Sequence, residues 1–314
     1  MSERFRIYLS YFFICTIWGS TWLVIKIGLE SVTPLLAAGL RFVVASSILF
    51  ALLKIRGITI PKSREARRLY VIIALISFSI PFGLIYWGEG FIPSGLTSIL
   101  FALYPFAVAL FSFLFLPSEK ITKWKIAGII IGFFGVVIIF FNDIGIHSSN
   151  ALPGMAAVVA SALLQALSVI VIKKFGHGIH PFALTFVPMA YSAAILLTAS
   201  LVFEDFTTIK FTWRSWCSIF YLGIFGSVVA FVSYFWLLKR VEAVFLSLTS
   251  FITPIIAVVL GIVILGEKFS NQVFIGAAVV LIGIAVANFA DFRKILSGKE
   301  HRAHIGADTA RNEL

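Results

Sequence analysis

The stretch VIKIGLESVTP, from Val24 to Pro34, recurs in the second half of the chain as VIKKFGHGIHP, from Val171 to Pro181. A second pair follows at nearly the same offset, because Pro105 of FALYPFAVALFSFLFLPSEK matches Pro254 of LTSFITPIIAVVLGIVILGEK. Two matches at nearly the same offset indicate an internal duplication. We therefore divide the chain into a first unit at 1–145, a second unit at 146–292 and a polar tail at 293–314.

The composition of the chain is that of a membrane protein. It has 314 residues, of which 60% are hydrophobic and 12% charged, and its mean hydropathy is +1.05. An apolar run of about 20 residues spans the roughly 30 Å hydrocarbon core of a bilayer as an α-helix. The sequence predicts ten such runs, at about residues 8–29, 34–54, 69–89, 92–116, 123–141, 152–175, 181–202, 214–238, 242–265 and 271–291.

The number of predicted spans in each unit determines how the two units are oriented. Five is odd, so a chain that enters the first unit from one side of the membrane enters the second unit from the other side. The predicted fold is therefore an all-α membrane protein of ten transmembrane helices, arranged as two inverted five-helix repeats around a central cavity. Inverted repeats are typical of secondary transporters that work by alternating access.

The distribution of basic residues predicts which side faces the cytoplasm. The chain carries 25 Lys and Arg and a net charge of +11. Most of these cations lie at the two termini and in alternate loops, whereas the opposite side holds only Lys26, Lys210, Arg214 and Lys268, and Arg41 lies inside a predicted helix. The positive-inside rule places both termini in the cytoplasm of a protein that spans the cytoplasmic membrane several times. The basic charge thus reflects topology, and we expect no nucleic-acid partner.

Three stretches of the sequence resemble a known family. They are WGSTWLVIKIGL at 18–29, YWGEGFIPSGLTSILFALYPFAVALFSFLFLPSEKIT at 86–122 and LTSFITPIIAVVLGIVILGEKFS at 248–270. They are similar to the EamA family of the drug/metabolite transporter superfamily, and the resemblance covers residues 8 to 291. It implies a ten-helix carrier with a central cavity that exports amino acids or other small metabolites.

The candidate site lies where the predicted helices are interrupted near mid-membrane. Pro105 and Pro254 each free one carbonyl group, on Phe101 and Ser250, and the matching positions suggest a pair of hinges. A plain helix kink is the alternative for either proline alone. Hydroxyl and aromatic side chains on neighbouring faces complete the candidate substrate site, although helix packing could account for many of the hydroxyls. The candidates are Trp18, Trp22, Arg41, Tyr86, Glu89, Thr97, Ser98, Phe101, Tyr104, Gln165, Tyr234, Ser247 and Ser250.

Charged residues inside the apolar runs need partners. We expect Lys26 to extend toward the lipid headgroups, and Arg41 to pair with Glu89 or, alternatively, Glu30. Arg41 then either ties helices together or, with Lys26, attracts a carboxylate-bearing solute. Glu267 is assigned to the structure of a helix end.

Other functional classes fit the sequence less well. A membrane enzyme would need ionisable groups at depth, but all five histidines and all four aspartates fall in predicted loops, helix ends or the tail. We expect no catalytic residue, metal or cofactor. A proton-coupled drug efflux carrier is the main alternative. It would need a carboxylate deep within a span, and apart from Glu89 near a helix end the sequence offers none. A channel would need a filter loop, which is not evident. The expected partners are a small solute and the lipid bilayer; the oligomeric state stays open, and a monomer is plausible.

Overall fold

The computed structural model describes residues 3–116, 122–141, 150–238 and 249–289, and these residues form helices and short connections without strands. We number the helices α1 to α10 along the chain. They are α1 Glu3–Leu29, α2 Pro34–Ile55, α3 Arg64–Phe91, α4 Ser94–Phe115, α5 Lys123–Phe141, α6 Ala151–Phe175, α7 Pro181–Phe203, α8 (Trp213–Tyr221, Leu222–Val229 and Ala230–Leu238), α9 Thr249–Leu265 and α10 Asn271–Ala287.

The helices have the composition expected of membrane spans. Within the described ranges, seven are long and apolar enough to cross a bilayer, namely α1 to α4 and α6 to α8, and α9 and α10 contain shorter apolar helices. The predicted start of the ninth run, at 242–248, lies outside the described residues. An all-helical fold of apolar helices is thus confirmed, and the count of ten crossings stays a prediction.

Local sequence signals explain where several helices begin. Pro34 occupies the first turn of α2, where its missing N–H costs nothing. The Ser63 side chain accepts a hydrogen bond from the Ala66 N–H at the start of α3. The Ser270 hydroxyl accepts one from the Val273 N–H at the start of α10. Such N-caps satisfy amide groups that would otherwise have no partner.

The closest helix contacts use glycine. Between α5 and α10, a Cβ atom at Gly283 would lie 2.6 Å from the Gly132 nitrogen, and one at Gly276 would lie 2.8 Å from the Gly135 oxygen. Residues early in α5 thus meet residues late in α10, so the two helices run antiparallel. Small residues allow this approach in a membrane bundle. The glycines of α5 therefore serve packing inside the chain.

Other helices are also paired across the two halves of the chain. α2 packs on α7, α3 on α6, α1 on α8 and α9, and α4 on α6 and α9. A Cβ atom at Gly88, late in α3, would lie 2.6 Å from the carbonyl oxygen of Gly154, early in α6. The end of α3 and the start of α6 therefore lie at the same end of the bundle.

We call this the α3–α4 end, since α3 stops and α4 starts there. Two carboxylates join helices at this end by capping their N-termini. Glu204, just after α7, accepts hydrogen bonds from the N–H groups of Leu35 (2.6 Å) and Leu36 (3.0 Å) in α2. Glu267, just after α9, accepts hydrogen bonds from the N–H groups of Ser94 (2.6 Å) and Gly95 (3.1 Å) in α4. The assignment of Glu267 to a helix end is correct, but the helix that it caps is distant in sequence.

Two helices contain π-helical segments, at Ala74–Ser79 in α3 and Leu222–Val229 in α8. A π turn leaves carbonyl groups without their usual partners. In α3 the Ala74 carbonyl accepts a hydrogen bond from the Ser192 hydroxyl of α7 at 3.0 Å. In α8 the Leu222 carbonyl accepts one from the Ser227 hydroxyl at 3.0 Å. The two segments lie at similar places in the two halves, and both are stabilised by serine.

Candidate functional site

Aromatic side chains from α1, α4 and α8 form two neighbouring groups, which we together call the aromatic cluster. On one side, the ring of Trp22 lies 5.3 Å from that of Phe101, which stacks on Tyr104 at 5.7 Å. On the other side, the ring of Trp18 lies 5.7 Å from that of Tyr234 and 6.1 Å from that of Phe231. Its members are Trp18, Trp22, Phe101, Tyr104, Phe231 and Tyr234.

The two sides of the aromatic cluster approach each other through their tyrosines, since Tyr104 and Tyr234 lie within electrostatic range of one another. Aromatic rings offer large apolar faces, and the tyrosine hydroxyls add polar groups to them. Rings from three different helices can enclose the apolar part of a small solute or stack on a cation. Five of the six members are among the residues expected from the sequence, and the structure brings those five together.

Arg41 is buried in α2 and faces α8 and α3. Its side chain is 4% exposed, and its Nε donates a hydrogen bond to the Ser227 hydroxyl at 3.1 Å. The guanidinium carbon lies 4.9 Å from the centre of the Phe82 ring, a favourable cation–π distance. The hydroxyl of Ser227 continues to the Leu222 carbonyl, so the π segment of α8 positions the partner of this arginine.

The sequence predicts Glu89 or, alternatively, Glu30 as the acid that pairs with Arg41. Glu30, the alternative partner, instead forms an exposed ion pair with Arg214 at 2.7 Å. Glu89 lies within electrostatic range of Arg41. Arg41 thus contacts a hydroxyl and an aromatic ring, with Glu89 as a nearby charge.

The expectation that Lys26 reaches toward lipid headgroups is wrong. Its Nζ donates hydrogen bonds to the carbonyl oxygens of Glu89 at 2.5 Å and Ile92 at 3.0 Å. These carbonyls terminate α3, where the helix dipole favours a cation. The ammonium group also lies within electrostatic range of the Glu89 and Glu267 carboxylates. Lys26 therefore joins α1 to the α3–α4 end from inside the bundle.

Glu89 is the most deeply buried carboxylate of this region. Its side chain is 0% exposed, and neither carboxylate oxygen has a hydrogen-bond partner within the described ranges. Tyr86, one turn earlier, is 1% exposed and lies close to Arg41, but its hydroxyl forms no hydrogen bond of good geometry to any described residue. We call Lys26, Arg41, Tyr86, Glu89 and Glu267 the charged cluster.

The remaining polar candidates divide into two groups. The Thr97 hydroxyl donates to the Pro93 carbonyl of its own helix at 3.1 Å, so it serves local structure. The Ser98 hydroxyl and the Gln165 Nε2 are buried without a partner among the residues that the structure describes, as expected of groups that can bind a solute. Ser247 lies outside the described residues, and so does the side chain of Ser250.

The two prolines interrupt their helices to different extents. In α4 the helix stops at Phe101 and restarts at Tyr104, with Pro105 in the first turn of the second part. In α9 the described helix runs from Thr249 to Leu265 straight through Pro254. The predicted matching interruptions are thus present in α4, whereas α9 stays helical around its proline.

Sequence reasoning missed Phe82, Ser192, Ser227 and Phe231 among the residues that build this region. Phe231 could have been found, since it lies three positions before Tyr234 and so shares a helix face with it. The contact between Arg41 and Ser227 could not have been found in this way, because Ser227 lies in a π segment that changes the residue spacing of α8. Among the described residues, no group of three or more metal-ligating side chains comes together.

Known proteins resemble this chain along most of its length. The sequence model of the EamA-like transporter family matches residues 6–141 and again 152–289. The chain is 28% identical over 289 residues to "Uncharacterized transporter YoaV" of Bacillus subtilis (strain 168), covering 92% of this chain and 99% of that protein. It is 30% identical over 282 residues to "Protein PagO" of Salmonella typhimurium, covering 90% and 92%.

Two further similarities concern the membrane and the fold. The chain is 27% identical over 282 residues to "Uncharacterized inner membrane transporter YedA" of Escherichia coli (strain K12), covering 90% of each protein. A solved crystal structure superposes with a TM-score of 0.66 at 21% identity, covering 93% of this chain and 99% of that one. The second similarity shows that the fold is shared.

Proposed function

Because the chain belongs to the EamA-like transporter family, we propose that it is a secondary transporter of the cytoplasmic membrane that exports small organic metabolites, such as amino acids or related solutes. It is a multi-pass membrane protein of a transporter family. Its transport cycle alternates access to a central site between two inverted five-helix repeats, with Pro105 and Pro254 as hinges. The helix contacts across the two halves support this arrangement, since α2 and α7, as well as α5 and α10, run antiparallel.

The proposed orientation places the α3–α4 end on the outside. The opposite end carries a surface pocket lined by Lys62, Arg64, Arg67 and Arg68. Such a concentration of cations is typical of the cytoplasmic side. Lys26 joins the α3–α4 turn to α1, and Glu267 joins it to the end of α9; we assign these contacts to a state that is closed at the outer side.

One observation carries the proposal: aromatic rings from α1, α4 and α8 lie next to one another, and the buried Arg41 donates a hydrogen bond to Ser227 of α8. Aromatic rings would contact the apolar part of a metabolite. Arg41 supplies the positive charge that a solute carboxylate needs, and guanidinium groups bind carboxylates well. This combination suits a small solute with both an apolar part and a carboxylate.

Counterflow in reconstituted vesicles tests the proposal. Purified protein in liposomes preloaded with one unlabelled amino acid or carboxylate should accumulate the same solute, supplied outside in labelled form. Trp22→Ala should reduce this counterflow about tenfold, because losing one aromatic wall weakens binding by about 1.4 kcal/mol. Trp213→Ala is the matched control, since Trp213 is 75% exposed at the start of α8. If no solute of either class shows counterflow with the wild-type protein, or if both variants behave alike, the proposed site is wrong.

A further inference from the structure

Glu89 differs from the other carboxylates at the α3–α4 end. Glu204 and Glu267 each accept hydrogen bonds from two backbone N–H groups of a neighbouring helix. The two Glu89 oxygens are fully buried and accept no hydrogen bond from any described residue. A carboxylate that loses its water without gaining donors is destabilised in its charged form. Two carboxylates therefore cap helices, whereas the third and more deeply buried one has no hydrogen-bond donor within the described ranges.

Charged groups reach Glu89 from three other parts of the bundle. Lys26 comes from α1, Arg41 from α2, and Glu267 from the connection between α9 and α10. The Lys26 ammonium is itself engaged by the main-chain carbonyls of Glu89 and Ile92. With two cations and two carboxylates, the formal charge of the charged cluster is zero when Glu89 is ionised.

The other helices packed against this part of α3 add no further charge. In α4 the sole titratable side chain is Tyr104, which belongs to the aromatic cluster. In α6 the titratable side chains are Lys173 and Lys174, in the last turn, at the opposite end from Gly154. From α3 itself Tyr86 also faces Glu89. The protonation state of Glu89 therefore sets the net charge of the cluster.

We propose that Glu89 is the proton-binding site that couples transport to the proton gradient, an inference that rests on the proposed function. In the step, one proton from water forms an O–H bond with the carboxylate, which becomes a neutral carboxylic acid. No other bond breaks, and the formal charge of the charged cluster changes from zero to +1. The proton is then released to water on the cytoplasmic side, which restores the carboxylate, so that each cycle carries one proton inward.

Proton binding and closure of the α3–α4 end favour each other. When this end opens, water reaches Glu89 and stabilises the carboxylate; when it closes, the buried site stabilises the neutral acid. A ligand that binds one state better shifts the equilibrium toward that state. A proton taken up from the outside thus promotes closure there, which is the direction in which an inward proton gradient can drive export.

Infrared difference spectroscopy detects the proposed site without any solute. Spectra of the full-length protein in lipid nanodiscs, recorded while the pH is changed, should show the carbonyl stretch of a carboxylic acid that gains and loses its proton. Glu89→Gln should abolish this band, and the conservative variant Glu89→Asp should shift it. A band that is unchanged in both variants would overturn the proposal, and Glu89→Asp keeps the test valid if Glu89→Gln folds poorly.

Asp205→Asn is the matched control for this measurement. Asp205 is an exposed carboxylate in the connection between α7 and α8, where hydrogen bonds from the Thr207 hydroxyl and N–H lower its pKa. Its removal should leave the band in place. Loss of the band in Asp205→Asn would assign the signal to a surface carboxylate and contradict the proposal.

Counterflow separates failure of this inference from failure of the proposed function. For a solute that the wild-type protein carries, the counterflow rate should change with pH, and this dependence should be lost in Glu89→Gln. Equal pH dependence in both proteins would overturn the role of Glu89 while leaving transport intact. Absence of counterflow in the wild-type protein would overturn the transport proposal, and the infrared band would still decide whether Glu89 binds a proton.

Discussion

At the scale of single residues, the carboxylates of the α3–α4 end show that the surroundings of a charged group decide how much it contributes to stability. Glu30 and Arg214 form an ion pair in which both side chains are nearly half exposed, and such pairs contribute at most about 1 kcal/mol. Glu204 accepts three hydrogen bonds at the N-terminus of α2, from Thr33, Leu35 and Leu36. Charge-assisted hydrogen bonds at a helix N-terminus are stronger than an exposed ion pair of this kind.

We therefore expect Glu204→Ala to destabilise the protein more than Glu30→Ala. The first variant leaves the amide groups of α2 without an acceptor, at a cost of about 2 kcal/mol. The second removes only a solvated pair and should cost less than about 1 kcal/mol. The midpoints of thermal unfolding of the two purified variants in one detergent compare these costs. Equal midpoints would mean that the Glu204 cap contributes no more than the surface pair.

Sequence reasoning at this scale identifies which residues matter better than it identifies their partners. Trp18, Trp22, Phe101 and Tyr104 follow from helix position and face, and the structure brings them together. The partners of Lys26, in contrast, depend on where α3 ends in three dimensions. A side chain that binds the backbone of a distant helix leaves no pattern in the sequence, so its contact cannot be derived from spacing.

At the scale of helices, the contact between α5 and α10 depends on the absence of side chains. A Cβ atom at Gly135 would lie 2.7 Å from the backbone nitrogen of Val280 and 2.8 Å from the carbonyl oxygen of Gly276. Backbone atoms cannot rotate away as a flexible side chain can. The two helices would have to separate, and a membrane bundle would lose the close packing that holds them together.

Gly135→Ala should accordingly destabilise the protein by about 1–3 kcal/mol, the usual cost of overpacking. Gly90→Ala is the matched control, because a Cβ atom there would meet no atom within 4 Å. The control should be neutral or slightly stabilising, since alanine favours the helix. Folding yield and thermal unfolding measured side by side check this. An unchanged Gly135→Ala protein would show that α5 and α10 are less tightly packed than described.

At the scale of the whole molecule, the all-helical fold follows directly from composition and apolar run length, and the structure confirms it. The orientation in the membrane is a prediction from loop charges. Lys210 lies at the α3–α4 end, where its N–H donates to the Ser31 carbonyl, and Lys62 lies before α3 at the opposite end. Both side chains are exposed.

Cysteine labelling in intact cells tests this orientation. In a Cys217→Ser background, Lys210→Cys should react with a maleimide that does not cross membranes, because the α3–α4 end is expected to face outside. Lys62→Cys should react only after the membrane is made permeable, and the background protein, whose Cys15 is buried, should not react in either case. The reverse labelling pattern would place both termini outside the cell and remove the basis for export.

The π segment of α8 has a consequence for the evolution and engineering of this protein. Each residue accommodated in such a turn rotates the following side chains by about 100° relative to an unbroken α-helix. Phe231 and Tyr234 follow the segment Leu222–Val229, so they face Trp18 only in that rotated register. Deleting one residue from the segment would give a more regular helix that turns both rings away from Trp18. The contacts of Trp18 with Phe231 and Tyr234 therefore depend on the irregular segment that precedes these two rings.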